Sequence, residues 1–310
     1  MPKQEFSGRQ CPTSVTVAAT QMACGPDVDA NIERAEGLVR RAASEGANII
    51  LLQEMFYTRF FAFMDWKDDY FHLAAPADGH PIVKHMATLA RELDVVLPVN
   101  VFERANNAYY NTIVVVDADG RDLGAYRKSH MPLGPPGCFE KYYTCPGDTG
   151  FRVWNTRFGN IGVGICWDQW FPESARIMAL MGADVLFFPT GIGSDAHDHW
   201  QRTIQGHAAA NMTPVVVSNR IGTESGELGT SSFWGQSFIT GARGEIVAEA
   251  DDSTEIAITA RFDVEDIRAQ RAGWGLFRDR RPDLYGPLLS LDGMSGSTSF
   301  DPSPRKVSLS

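Results

Sequence analysis

Three residue types that together can open an amide stand at the ends of predicted strands in this chain: Glu54 after IILLQ, Lys128 after GAYR and Cys166 after IGVGI. Cys166 is followed at once by WDQWFPE, in which Pro172 can open a helix, so its sulfur is expected at a tight strand-to-helix turn of the nucleophile-elbow kind. Backbone N–H groups and the positive end of a helix dipole at such a turn favour a thiolate and can hold an oxyanion. Glu54 ends a buried strand, where ligand sites of open α/β sheets form, and is a candidate base. Lys128, with Arg127 beside it and His130 two positions on, is a candidate cation. Each position also has a plainer reading: a buried strand-end cysteine, a helix cap or surface acid, and a basic loop. Together they meet the needs of a thiol that attacks an amide, namely a proton acceptor, a cation for the tetrahedral oxyanion and a route for protonating the leaving amine. Neither metal nor cofactor is required.

The elements that must position these groups follow from periodicity. Ser14 to Met22 reads as a buried strand, Asp27 to Ala47 as a helix with an Asp at its start, and Asn48 to Met55 as a second apolar strand. Pro81 to Asp94 and Val95 to Phe102 repeat the helix and strand, which implies parallel neighbours. Tyr110 to Lys128 reads as two strands around an Asp-Ala-Asp-Gly turn, so the sheet is mixed. Ile161 to Cys166, Pro172 to Ala183 and Asp184 to Thr190 form another strand, helix, strand unit, and Trp200 to Met212 with Pro214 to Arg220 extends it. A second hairpin, Ser237 to Ala250, and a long strand, Thr254 to Asp263, follow. The arrangement suggests two similar halves. No linker divides residues 14–290; residues 1–13 read as an extension, and 291–310, rich in Ser and Pro, as a flexible or loosely docked tail.

Composition narrows the class. The 310 residues are 44% apolar, yet no stretch reaches the ~20 uncharged apolar residues of a membrane span, and MPKQEFSGRQ lacks the apolar run of a signal peptide, which points to a cytoplasmic protein. The formal charge of −10 argues against a nucleic-acid partner, which would need a basic face. Cys11, Cys24, Cys138, Cys145 and Cys166 contain no C-x-x-C pair and do not match zinc spacings, so neither a disulfide framework nor a metal site is expected.

The strings LLQEM around Glu54, YRKSHMP around Lys128 and GICWDQWFPE around Cys166 occur in an order and spacing that resemble the three catalytic motifs of the nitrilase superfamily, over nearly all of residues 14–290. The resemblance implies an α/β fold, a four-layer α-β-β-α sandwich with two mixed sheets, forming a single carbon–nitrogen hydrolase domain. It implies hydrolysis of a non-peptide C–N bond through an acyl-enzyme, and subunits that associate into dimers or larger homo-oligomers. In that mechanism Glu54 would deprotonate Cys166 or the attacking water, while Lys128 and the backbone N–H of Trp167 would hold the oxyanion. Glu140, in FEKYYTCPGD, matches a second family glutamate with a positioning or proton-transfer role; its plainer reading is an acid paired with Lys141 or Arg127.

Within that family, CFEKYYTCPGD, DHWQRTIQGHAAAN, SNRIG and WGLFRDRRPDLYGPLL are similar to the branch acting on carbamoylated amines. This implies hydrolysis of N-carbamoylputrescine to putrescine, CO2 and NH3, a step of polyamine synthesis from agmatine. Relatives that cleave N-carbamoyl-D-amino acids carry arginines after the nucleophile that can clamp a carboxylate; here those positions are Asp168, Gln169 and Trp170, which favours a small cationic substrate. Asp195 falls where a longer acid would hold the distal ammonium, in a shortened loop, so Asp198 is a further candidate. Trp167, Trp170 and His130 are expected beside the substrate. Phe171, Trp200 and Trp234 either wall the pocket or are plain core, and Arg59 could face a carboxylate if it points inward. Other readings are an N-carbamoyl amino acid or β-ureidopropionate amidohydrolase, a nitrilase or ω-amidase of the same fold, and a catalytically silent interaction module.

Overall fold

The structure, a computed structural model, describes residues 13–133, 138–193 and 197–294. The chain begins with β1 (Ser14–Gln21), buried on both faces from Val17 onward. In α1 (Val28–Ser44), Asp27 caps the first turn by accepting from Ala30 N at 3.1 Å, and Ala35, Leu38, Val39 and Ala42 recur at helical spacing as the buried stripe. There follow β2 (Ile49–Leu51), the short α2 (Phe61–Met64) and α3 (Pro81–Leu93), which opens on Pro81 and ends where Asp94 turns left-handed. A hairpin of β3 (Leu97–Ala105) and β4 (Ala108–Val116) leads to β5 (Asp122–Arg127) and the single turn α4 (Glu140–Tyr143).

The second half runs β6 (Val153–Thr156), β7 (Gly159–Val163), α5 (Pro172–Leu180), β8 (Val185–Pro189), α6 (His197–Asn211) and β9 (Val215–Ser218). Two hairpins come next, β10 (Ile221–Gly226) with β11 (Gly229–Trp234), and β12 (Phe238–Thr240) with β13 (Ile246–Glu249). β14 (Ile256–Asp263) and α7 (Val264–Trp274) complete the order.

One sheet runs β14-β1-β2-β3-β4-β5, its two pieces joined where Ile49 bridges Val96 and Ile50 N donates to Val96 O at 3.0 Å. The other runs β6-β7-β8-β9-β12-β13. Across its strands each sheet reads antiparallel, parallel, parallel, antiparallel, antiparallel. The two halves are therefore built alike, with β10 and β11 as an addition to the second.

α1 and α3 cover one outer face, where Val39 and Met86 cluster with Ile50 and Val99. α5 and α6 cover the other, and between the sheets Val17, Ala19 and Leu51 share a cluster with Ile161, Val163 and Phe187. This is the four-layer α-β-β-α order, held by apolar burial on three internal boundaries. Polar links stitch the sheets at the carboxyl ends of their parallel strands: Thr20 N donates to Ser218 Oγ at 3.1 Å, Ser218 Oγ to Leu51 O at 2.9 Å, and Glu54 N to Thr190 O at 3.3 Å.

The strands β6, β10 and β11 and the helix α7 were not legible in the sequence. β6 is only four residues long, β10 and β11 carry exposed polar side chains such as Thr223 and Thr230, and α7 has only Val264 and Ile267 buried. None has the apolar periodicity that marks the others. Among the described residues no helix is long and apolar enough to cross a membrane.

Candidate active site

Lys128 directly follows β5, Glu54 lies just beyond β2, Cys166 just beyond β7, and Glu140 opens α4. These four come together at one end of the sandwich. The Lys128 ammonium is fully buried, 2.8 Å from Oε1 of Glu54 and 2.7 Å from each oxygen of Glu140. Asn111, from β4, donates from the same Nδ2 to Oε1 of Glu54 at 2.7 Å and Oε1 of Glu140 at 3.0 Å. The two carboxylate oxygens are thus bridged twice, once by an ammonium and once by an amide. The other oxygen of Glu54, Oε2, is buried with no hydrogen-bond partner, leaving it available for a proton.

A ladder of buried amides sets this arrangement. Asn100, on β3, donates to Asn111 Oδ1 at 2.7 Å and Thr112 O at 3.0 Å, and accepts from Met55 N at 2.7 Å. These bonds fix which way the Asn111 amide faces. Lys128 is anchored at its backbone by Asn111 O and by Gly147 N, which donates to Lys128 O at 2.7 Å; a Cβ on Gly147 would meet Arg127 O at 2.1 Å, so the approach requires glycine.

The electrostatics follow from burial among these charges. Burial opposes the Lys128 ammonium, but Glu140 and Glu54 outweigh it and hold its pKa well above the ordinary value. Burial pushes the Glu140 carboxyl up to about 7, Lys128 pulls it down and Glu54 pushes it up. For Cys166, burial and then the charge of Glu54 keep the thiol well above its ordinary range, against Lys128 and the Gly191 backbone N–H. The expectation of a thiolate favoured by a helix dipole is therefore corrected. A thiolate there would be desolvated and would face the negative charge of Glu54, which Lys128 and the Gly191 N–H only partly offset. A base must remove the thiol proton during attack.

The elbow itself is strained and braced. Cys166 has a left-handed φ of 42°, and a 3-10 turn, Cys166–Trp170, intervenes before α5. Asp168, fully buried, holds the turn: Oδ2 accepts from Ile165 N at 2.9 Å and Tyr126 OH at 2.7 Å, and Oδ1 accepts from His130 N at 3.0 Å and lies 2.7 Å from His130 Nδ1. The His130 ring stacks on Phe171 with centroids 3.7 Å apart. Gln169 is likewise part of the scaffold, accepting from Trp200 Nε1 at 2.8 Å.

The other expected site residues divide. Trp167, exposed by 39%, and the half-buried Trp170 lie beside the nucleophile with ring centroids 6.1 Å apart. His130 has its backbone N–H and Nδ1 engaged by Asp168. Trp200 is core, and Trp234, half-buried, packs against it at 6.0 Å. Asp198 is exposed and pairs with Arg202, while Asp195 lies outside the described residues. Arg59 is committed to Tyr70 OH at 2.7 Å, to Asp65 and to the Ser225 carbonyl. Glu140 pairs with Lys128 and not with Lys141 or Arg127; Arg127 instead clamps Glu103 at 2.9 and 2.6 Å. Asn100 and Asn111 were missed, although single amides inside VNVF and YNTIVVV were a signal: a lone polar group in a buried strand needs a partner. Among the described residues no cluster of three or more metal-ligating side chains occurs.

Residues 16–272 match the family model described as carbon-nitrogen hydrolase, and the chain belongs to that family, within the nitrilase superfamily. It is 56% identical over 290 residues to an N-carbamoylputrescine amidase of Solanum lycopersicum, covering 90% of this chain and 96% of that one. It is 47% identical over 283 residues to a citrullinase of Francisella tularensis, covering 89% and 98%. Among solved structures, a carbon-nitrogen hydrolase from Helicobacter pylori G27 superposes with a TM-score of 0.83 at 35% identity, over 90% of this chain and 99% of that one.

Proposed function

We propose that this protein hydrolyses N-carbamoylputrescine, with Cys166 as nucleophile, Glu54 as general base, and Lys128 and the Trp167 N–H as the oxyanion site. The observation that carries the chemistry is the free Oε2 of Glu54 in a carboxylate whose Oε1 is held by both Lys128 and Asn111. The relatives named for this activity at 52–56% identity support the substrate.

The thiol attacks the ureido carbon as Glu54 Oε2 takes its proton. The Lys128 ammonium, held by Glu54 and Glu140, supplies positive charge for the developing oxyanion. Collapse breaks the C–N bond to putrescine, Glu54 returns the proton to the leaving nitrogen, and Cys166 is left carbamoylated. Water, deprotonated by the same carboxylate, attacks this thioester-like carbon. The carbamic acid released falls apart to CO2 and NH3, and the thiol is regenerated.

Asp168 and Gln169 are occupied by the elbow and Arg59 by Asp65 and Tyr70, so none offers a fork to a carboxylate; this supports a substrate whose far end is a cation. Citrulline shares the ureido group and an ammonium, and the 47% identity to a citrullinase favours it as the second reading. Ammonia release from N-carbamoylputrescine, citrulline and N-carbamoyl-β-alanine decides between them. N-carbamoylputrescine is expected to give the highest kcat/KM, and Cys166→Ser to abolish it. Faster turnover of either competitor would overturn the substrate while leaving the family intact. Self-association belongs to the same reading, supported by exposed Leu180, Trp274 and Leu288 lining two clefts beside α5 and α7.

A further inference from the structure

Arg220 is a fully buried arginine just past the end of β9, 166 residues from Glu54 in the chain, and the chemistry above makes no use of it. Its guanidinium is spent almost entirely on one short segment. Nε and Nη2 donate to Glu54 O at 3.2 and 2.7 Å, Nη2 also to Met55 O at 2.6 Å, and Nη1 to Thr58 O at 2.9 Å. Nη1 further donates to Glu224 Oε1 at 2.8 Å, and Glu224 Oε2 accepts from Phe60 N at 2.6 Å. The pair therefore clasps the backbone from residue 54 to residue 60.

That segment needs a clasp. Glu54 lies beyond the end of β2, so its carbonyl and that of Met55 have left the ladder, and Met55 stands at a left-handed φ of 49°. A buried carbonyl without a partner costs about 1–3 kcal/mol; Arg220 supplies the partners of Glu54 O and adds a second donor to Met55 O, which already accepts from Thr58 N at 3.1 Å. The guanidinium also sits against Phe60 and Phe233, 5.3 and 5.8 Å from their ring centroids. It further backs the nucleophile's side of the site: a Cβ on Gly191, whose N–H faces the Cys166 sulfur, would lie 3.0 Å from the Phe60 ring and 3.5 Å from Arg220 Nε.

We infer that Arg220, paired with Glu224, is a positioning residue for the general base: it holds the backbone turn that carries the Glu54 carboxylate into the site. A lysine could match the charge but not the fan of N–H groups. The inference rests on the reading of Glu54 as the base, and the test separates the two.

Arg220→Lys keeps the charge and loses the clasp. The double variant Arg220→Met with Glu224→Gln removes both charges, so that no unpaired buried ion opposes folding, and keeps an acceptor for Phe60 N. With folding checked by circular dichroism, Arg220→Lys is expected to lower kcat about 10–100-fold with little change in KM, the scale of a misplaced reacting group. The double variant is expected to lose as much, again in kcat and not in KM. Alkylation of Cys166 by iodoacetamide should slow in parallel in both. Folded variants that keep kcat within about twofold, or whose loss lies wholly in KM, would overturn the assignment. Glu54→Gln in the same assays is the control: normal turnover there defeats the base reading, whereas an inactive Glu54→Gln beside normal Arg220 variants defeats only the role of Arg220.

Discussion

Replacing Glu140 by Gln tests the electrostatics of the site where it is most quantitative. Glu140 is buried, and burial and Glu54 together push its carboxyl from 4.5 to about 7 against the pull of Lys128. Between those values the folded protein keeps a proton that the unfolded chain has released, so more protons are bound in the native state and stability falls as pH rises. The stabilisation is fully present below 4.5 and lost by about 7. A displacement of that size corresponds to about 3 kcal/mol at roughly 1.4 kcal/mol per unit. Glutamine has the same shape, and its Oε1 can accept from Lys128 and Asn111 while its NH2 takes the place of the second oxygen; it does not titrate. The difference in unfolding free energy, wild type minus Glu140→Gln, should therefore drop by about 3 kcal/mol between pH 4.5 and 7.5 and be flat above. Urea denaturation at fixed protein concentration, followed by tryptophan fluorescence, measures it. A difference independent of pH, or one that grows with pH, would refute the account of Glu140.

Three further outcomes are expected. Asn111→Leu removes the amide shared by Glu54 and Glu140, leaving each carboxylate one donor short; about 2–4 kcal/mol of stability should be lost and kcat should fall more than KM changes, by steady-state kinetics and denaturant melts. Asp168→Asn turns a donor toward partners that themselves donate, so the elbow should loosen, with a stability loss of about 2–4 kcal/mol and a lower kcat even at saturating substrate. Leu180→Asp combined with Leu288→Asp charges the exposed apolar face, and sedimentation velocity should show a smaller species than the wild type.

The two similar halves were legible before any coordinates, since strand, helix, strand units bury apolar runs whose period depends only on local chain geometry. So was the placement of Glu54, Lys128 and Cys166 at strand exits, because a polar residue that follows a strand has left the sheet and must face a site or water. The partners of those residues were not legible. Asn100 and Arg220 act across 45 and 166 residues of chain, and hydrogen bonds made at that separation leave no local period to read.

Cys166 shows where the boundary lies. Its place at a strand end and its role as a candidate nucleophile follow from the residues around it, as does the call for a base and a cation. Its protonation state does not. Local neighbours, an elbow and a helix start, pointed to a thiolate, whereas the folded site surrounds the sulfur with Glu54, Glu140 and a single ammonium and removes it from water. Solvation and the sum of nearby charges are set by residues distant in the chain, so only the tertiary structure shows the burial and the Glu54 charge that push the thiol upward. The same physics assigns Glu140 to Lys128 rather than to its sequence neighbour Lys141.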